Sequence, residues 1–380
     1  MVKPRKFRVE FRKNRSTRCR SGNLTRTVDG DLEAAGDQAT SERISGKGDL
    51  TRKRTVTAEK ESGDHTDGLT AESATAGDWR GRVLNVHGLE SHVQADDGRV
   101  VRCTMRRLLR TVATDQRHPL AAGDWVRVRV GGDDEGTIQA IEPRHTSLSR
   151  DSRGRRHVIV ANVDQMIIVG SAALPAVKPG LIDRLLVAAE AAGIRPVICI
   201  NKVDLVAAAS LVPLAGVFAR MGYPVILCST VTGMGITRLR AELAGRVTAV
   251  IGQSGVGKSS LLNAIDPELN LTVAEVSRDN EKGRHTTTTA RLVPHRLGGW
   301  FVDTPGVRQF QPWQLVPAEV PSAFRDLRPI ANLCRFPDCT HDHESGCAVK
   351  DAVADGLLDT RRWESCRHLA AGDEPGEDEE

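Results

Sequence analysis

Gly252-Gln253-Ser254-Gly255-Val256-Gly257-Lys258-Ser259 follows the apolar run Val247-Thr248-Ala249-Val250-Ile251 and leads into Ser260-Leu261-Leu262-Asn263-Ala264-Ile265. That order predicts a glycine-rich turn between a buried strand and a helix. The spacing suits a phosphate loop. Its glycines let successive backbone N–H groups curl around phosphates, Lys258 supplies a point charge to the β- and γ-phosphates, and the Ser259 hydroxyl can ligate Mg²⁺. The helix start, with Ser260 in its first turn, adds its own preference for an anion. Residues 252–260 are therefore read as the phosphate-binding segment, with Lys258 also a catalytic group.

Working outward, Asn201-Lys202-Val203-Asp204 lies upstream of this loop and Asp303-Thr304-Pro305-Gly306 lies downstream. The Asp204 carboxylate can accept from N1 and N2 of guanine, a pair that adenine does not offer, while Asn201 and Lys202 brace the loop. A site built on such hydrogen bonds leaves polar groups unpaired with the wrong base. Ser229-Thr230-Val231, after another apolar run, is a further candidate to meet the base through backbone N–H groups. Asp303 reads as a group holding Mg²⁺ through water, and the Gly306 N–H as a sensor of the γ-phosphate. Between loop and switch, Gly283-Arg284-His285-Thr286-Thr287-Thr288-Thr289 stands where a first switch belongs. Thr286 or Thr287 can complete the Mg²⁺ shell, Thr287 being carried forward as the ligand, and His285 is the nearest group to orient or deprotonate water. Val307 replaces the water-orienting glutamine common at that place, so turnover is expected to be slow until a partner completes the site. Most GTPases place the phosphate loop first and the guanine motif last. Here the guanine motif comes first, as in a circularly permuted domain.

The apolar runs 166–169, 196–200, 225–228, 247–251 and 300–302 alternate with helical stretches at 181–192, 235–243 and 259–265. This predicts a parallel α/β sheet covered on both faces, with ligand at the carboxyl ends of its strands. Upstream, from Asp78, short alternating runs separated by turn signals predict a small barrel of the OB type. Trp125-Val126-Arg127-Val128-Arg129-Val130 is the clearest of them. Arg106, Arg107 and Arg110 lie between these strands, placed to meet phosphate, though aromatic stacking residues are scarce. A basic, turn-rich linker is expected over 144–156. Downstream, Cys334-x4-Cys339-x-His341-x5-Cys347 matches a closed tetrahedral Cys₃His zinc site, with His343 an alternative to His341.

The 380-residue chain carries a formal net charge of +4, which conceals a basic start (Lys3 to Arg20) and an acidic end (Glu374 to Glu380). Such like-charge blocks are usually solvated tails, and a basic arm often meets nucleic acid. No run approaches the ~20 apolar residues of a membrane span, and the Arg-rich start lacks the apolar core of a secretory signal. Of the eight cysteines, Cys199 and Cys228 end apolar runs and read as core, in keeping with cytoplasmic usage. The expected division is a disordered extension over 1–76, an OB domain over 77–145, a permuted GTPase domain over 146–312, a zinc domain over 313–370 and an acidic tail over 371–380.

The permuted motif order, the preceding barrel, Gly283-Arg284-His285-Thr286-Thr287 and the trailing Cys₃His cluster together resemble the RsgA (YjeQ/EngC) family, over roughly residues 78–369. The resemblance implies an N-terminal OB-fold β-barrel, a central circularly permuted α/β P-loop GTPase domain and a C-terminal α-helical zinc-binding domain. It also implies late maturation of the small ribosomal subunit, with hydrolysis of GTP to GDP and phosphate stimulated by that subunit and its rRNA. On this resemblance the catalytic histidine falls on His285, and the zinc ligands on Cys334, Cys339, His341 and Cys347. One structural Zn²⁺, Mg²⁺ with GTP, a monomer and a cytoplasmic location without membrane contact are expected. Because Gly306 leads towards the zinc region, closure of the second switch is expected to move that region as a lever. The rival readings are a non-enzymatic RNA-binding scaffold with a structural nucleotide, and a permuted GTPase acting on another RNA or the large subunit.

Overall fold

Within the stretch expected to lack structure, three short strands occur: β1 (Arg5–Arg8), β2 (Thr55–Glu59) and β3 (Gly68–Ala71). The β-branched Thr55-Val56-Thr57 favours extended backbone. The computed structural model describes residues 5–8, 55–59, 68–71, 78–106, 109, 120–131, 135–152, 155–271, 290–303 and 319–372.

Strict alternation then builds a barrel from β4 (Trp79–His87), β5 (Glu90–Ala95), β6 (Val100–Met105), β7 (Trp125–Val130) and β8 (Glu135–Ile141). Pairing runs β4-β5-β6-β8-β7 and closes from β7 back to β4, with only β6 and β8 parallel. Val83, Val93, Cys103, Val126, Val128 and Ile138 fill the interior. The arginines of the alternating strands point out, and most are already paired there. Glu142 takes both Arg80 and Arg127, Asp78 takes Arg129, and Glu135 takes Arg102.

The stretch read as a linker is instead a hairpin of β9 (Ser147–Ser152) and β10 (Arg155–Ala161). Its leading residue Arg144 is buried in a two-pronged pair with Asp124, at 2.6 and 2.7 Å. A turn-rich composition hid the β-branched run at 158–160 that pairs with β9.

The central sheet comprises β11 (Gln165–Ser171), β12 (Arg195–Asn201), β13 (Val225–Leu227), β14 (Val247–Ile251), β15 (Arg291–His295) and β16 (Gly299–Asp303). Its spatial order is β15-β16-β14-β11-β12-β13, parallel except for β15. Buried-strand runs send alternate residues to opposite faces. Ile168, Ile198 and Ile200 meet α1 (Pro179–Ala191) and α2 (Ala208–Arg220) on one side. Val169, Val197 and Cys199 meet α3 (Ile236–Leu243) and α4 (Lys258–Ile265) on the other. Helix α2 escaped the sequence reading because Pro213 interrupts an almost uniformly apolar stretch that carries little periodicity.

Among its described residues the C-terminal domain has four helices: α5 (Val320–Ala323), α6 (Arg328–Ala331), α7 (Ala348–Ala354) and α8 (Thr360–Ala371). Asp359 caps α8 by accepting from the Arg362 N–H, and Gly372 ends it in the left-handed conformation. This domain does not simply hang from the residues after Asp303. Val187 of α1 packs into its core, and the wholly buried Arg362 joins Asp183 of α1 to Asp326. A lever worked by the second switch must therefore strain or carry α1. Among the described residues no helix is long and apolar enough to cross a membrane.

Candidate functional site

Three loops, after β14, β12 and β13, lie at the carboxyl edge of the central sheet, where β16 also ends. The loop after β14 is held tight by two close approaches. A Cβ on Gly252 would stand 2.2 Å from the Val169 carbonyl oxygen, and one on Gly257 would stand 2.5 Å from Asn201 Nδ2. Gly255 and Gly257 have φ of +81° and +89°, which glycine alone adopts without strain. The backbone N–H groups are thereby turned inward at the start of α4, a nest for an anion. Lys258 Nζ donates to the carbonyls of Gly252 and Gln253, each at 2.8 Å, and so sits over the loop. Ser259 and Ser260 open α4, half-buried beside it.

Asn201 ends β12 with its side chain buried, and its Nδ2 donates to the Val256 carbonyl at 3.0 Å. Two motifs 55 positions apart are thus directly bonded. Lys202 takes a left-handed φ of 59°, and its Nζ donates to the Leu174 carbonyl. Val203 is buried and its N–H donates to the Cys228 carbonyl, which fixes the motif against β13. Asp204 is left exposed on the following turn. Ser229 is buried, and its Oγ accepts from the N–H groups of Val231 and Thr232 at 3.2 and 3.1 Å. Of the Ser229-Thr230-Val231 N–H groups, that of Ser229 donates to the Met234 carbonyl and that of Val231 to the Ser229 hydroxyl.

Asp303 ends β16, beside β14, with its carboxylate exposed. His285, Thr286, Thr287, Thr304, Pro305, Gly306 and Val307 lie outside the described residues. The sequence reading overlooked the segment after β11. Its Ala172 N–H donates to the Asn201 carbonyl at 2.8 Å, and its Leu174 carbonyl receives Lys202. No residue type marks this segment; only its place after a central strand does.

The second centre lies between α6 and α7. Donor atoms of Cys334, Cys339, His341 and Cys347 all fall within 4.8 Å of one another. His341 Nδ1 is 3.5 Å from the sulfurs of both Cys334 and Cys347, which are themselves 3.9 Å apart. His343 is exposed and stands apart from this cluster, so His341 is the histidine of the set. Burial pushes the His341 imidazole below its ordinary value, keeping it neutral as metal ligation requires. Burial, reinforced by the neighbouring thiols, pushes Cys339 up to about 12, so the set calls for a cation to hold its sulfurs as thiolates. The surrounding loop is pinned from outside. Trp363 Nε1 donates to the His341 carbonyl at 2.8 Å, and Glu344 accepts from the backbone N–H groups of Thr340 and Asp342 and from the Thr340 hydroxyl. These bonds, led by that from the Thr340 hydroxyl, hold the Glu344 carboxyl well below the usual range.

A family model described as RsgA GTPase matches residues 141–313. A protein of Azotobacter vinelandii named small ribosomal subunit biogenesis GTPase RsgA is 42% identical over 299 residues, covering 77% of this chain and 84% of that protein. The protein of the same name from Pseudomonas fluorescens is 39% identical over 343 residues, covering 86% and 97%. Among solved structures, YjeQ from Thermotoga maritima superposes with a TM-score of 0.65 at 32% identity, covering 77% of this chain and 98% of its own. YloQ, described as a circularly permuted GTPase, superposes at 0.62 with 29% identity, covering 80% and 97%.

Proposed function

The chain belongs to the RsgA GTPase family, and from that premise we propose that it hydrolyses GTP to GDP and phosphate on the small ribosomal subunit during its late maturation. The observation that carries the site assignment is the bond from Asn201 Nδ2 to the Val256 carbonyl. It couples the guanine-reading loop to the phosphate loop, so a nucleotide with the right base stabilises both together.

In this reading residues 252–260 hold the phosphates and Asp204 accepts from the guanine edge. Asn201, Lys202 and Val203 set the position of Asp204. Lys258 leaves the carbonyls of Gly252 and Gln253 for the β- and γ-phosphate oxygens, which it stabilises as negative charge shifts onto the leaving GDP. Ser259, Asp303 and Thr287 serve Mg²⁺, which draws charge from the β- and γ-phosphates when bound. His285 orients the attacking water, and Gly306 senses the γ-phosphate.

For the second centre we assign structural zinc. Tetrahedral bonds of about 2.3 Å to sulfur and about 2.0 Å to nitrogen place two sulfurs roughly 3.8 Å apart, and sulfur and nitrogen roughly 3.5 Å apart. The separations of 3.9 and 3.5 Å fit that geometry. Grip on rRNA is assigned to the barrel and the C-terminal domain. Because Arg80, Arg102, Arg127 and Arg129 on the barrel strands already have carboxylate partners, its RNA contacts are expected at the barrel ends rather than along its wall.

The test is the GTPase rate of the full chain alone and with purified small subunits, large subunits or free RNA. Stimulation by small subunits only, abolished by Lys258→Ala, supports the reading. Equal rates under every condition sink the ribosomal part, and no hydrolysis at all sinks the enzymatic part.

A further inference from the structure

The barrel and the central sheet form one continuous sheet, joined edge to edge by β4 and β15. The joining row is specific. Asn85 of β4 pairs with Arg291, and Arg291 in turn pairs with Asp303. The point at which the barrel meets the sheet is therefore the row that contains the carboxylate assigned to magnesium.

A second contact crosses the same seam. Arg82 of β4 is only 9% exposed, and its guanidinium lies between two indole rings, 4.4 Å from the centroid of Trp125 in β7 and 4.7 Å from that of Trp300 in β16. Trp300 precedes Asp303 by three residues on one strand, roughly 10 Å. Its neighbours tie it to the rest of the sheet: its N–H donates to the Arg246 carbonyl at 3.0 Å, and it packs against the core shared with α1 and α2.

This seam is under-bonded. Arg82 Nε and Nη1 and Trp300 Nε1 are buried without a hydrogen-bond partner among the described residues. Burial pushes the Arg82 guanidinium below its ordinary value, opposed by the charge of Asp164. A buried cation held by ring faces and the charge of Asp164 has no directional bond to fix it among the described residues. Sliding it across the rings breaks no hydrogen bond of its own, so this stack can adjust while the bonds from the Ala161 N–H to the Ala122 carbonyl and from Asn162 Nδ2 to the Gly123 carbonyl keep the barrel tied to the residues leading into β11.

We propose that Arg82 is a positioning residue for hydrolysis: through Trp300 it couples the placement of the barrel to that of Asp303, so that engagement of the barrel by the ribosomal partner adjusts the magnesium-holding strand end. This rests on the reading of Asp303 and of the partner given above. Arg82 itself touches neither nucleotide nor metal.

The experiment uses the full chain with Arg82→Met, Arg82→Lys and Trp300→Phe, each checked for folding by thermal unfolding. Arg82→Met should reduce the stimulated-to-basal kcat ratio by about 5- to 10-fold, within the range of ordinary coupling between sites. KM for GTP and affinity for the small subunit should not change. Arg82→Lys, which keeps the charge but loses the planar stack, should fall between Met and wild type. Independently of turnover, exchange of GDP for a non-hydrolysable GTP analogue should alter tryptophan emission, an effect lost in Trp300→Phe and diminished in Arg82→Met. Folded Arg82 variants with wild-type stimulation and wild-type emission change overturn the proposal. Should wild type itself not respond to subunits, the ribosomal reading fails, and the emission change alone decides whether Arg82 links nucleotide to barrel.

Discussion

Arg362 and Arg82 are both buried where a flanking domain meets the central sheet, yet their surroundings are opposite. Arg362 donates to Asp326 at 3.0 and 2.8 Å and to Asp183 at 2.7 Å, and its guanidinium also stacks on Phe324. Asp183 is satisfied as well, by Arg361 and by the Ser365 hydroxyl. These bonds hold Arg362 charged against a burial that disfavours it. Arg82 has two indole faces and two unpartnered nitrogens. A saturated network has one good geometry, whereas ring faces offer a range of them. At Arg362 the C-terminal seam is fixed by directional bonds, whereas at Arg82 the barrel seam is held by ring faces and charge.

The comparison can be broken most strongly at the metal. Structural zinc in such loops contributes on the order of 10 kcal/mol of folding free energy. Chelation should therefore unfold the C-terminal helices and expose Trp363, while the barrel and central sheet keep their circular dichroism. A chain that stays fully folded without metal would contradict the assignment.

Next come the two arginines themselves. Arg362→Met leaves Asp183 and Asp326 short of their cation and should destabilise by about 3–5 kcal/mol. Arg82→Met removes an under-bonded cation and should change stability by no more than ~1 kcal/mol in either direction. Urea midpoints of the two variants measure the contrast directly. Equal losses would erase the distinction between the seams.

The smallest effect belongs to Glu242, a half-buried carboxylate between Arg195 and Arg246 near the barrel seam. The hydrogen bond from Arg195 leads in holding its carboxyl below the usual range, with burial opposing. Its stabilisation is thus complete above the unfolded carboxylate pKa of about 4.3 and is lost as pH falls through the lower folded value. Since both arginines are well exposed, solvent screening limits the effect to a few tenths of a kcal/mol. The difference in Tm between wild type and Glu242→Gln should be greatest near neutral pH and vanish in acid; a difference that grows in acid would reverse the sign argued here.

Much of this molecule is legible in its sequence. The runs at 166–169, 196–200 and 247–251 are continuous and β-rich because both sheet faces are covered, and each became a strand. Cys199 and Cys228 are buried, as their place at the ends of apolar runs implied. Strand β15, which pairs chiefly with the neighbouring β16, was not legible because Pro294 interrupts its pattern. The hairpin at 147–161 was hidden by its charge, and the choice between His341 and His343 by their near-identical spacing.

The sequence by itself determined the glycine-rich turn after β14, the Asn201–Asp204 turn after β12, the permuted order and the Cys₃His set. Each is a contiguous run whose chemistry depends on local backbone and on ligands a few residues apart. Only the tertiary structure decided which buried arginine is held by carboxylates and which lies between ring faces. Arg362 meets Asp326 and Asp183 across 36 and 179 positions, and the neighbours of Arg82 come from two domains. Such partners are set by how sheets and helices pack, and no local pattern records them.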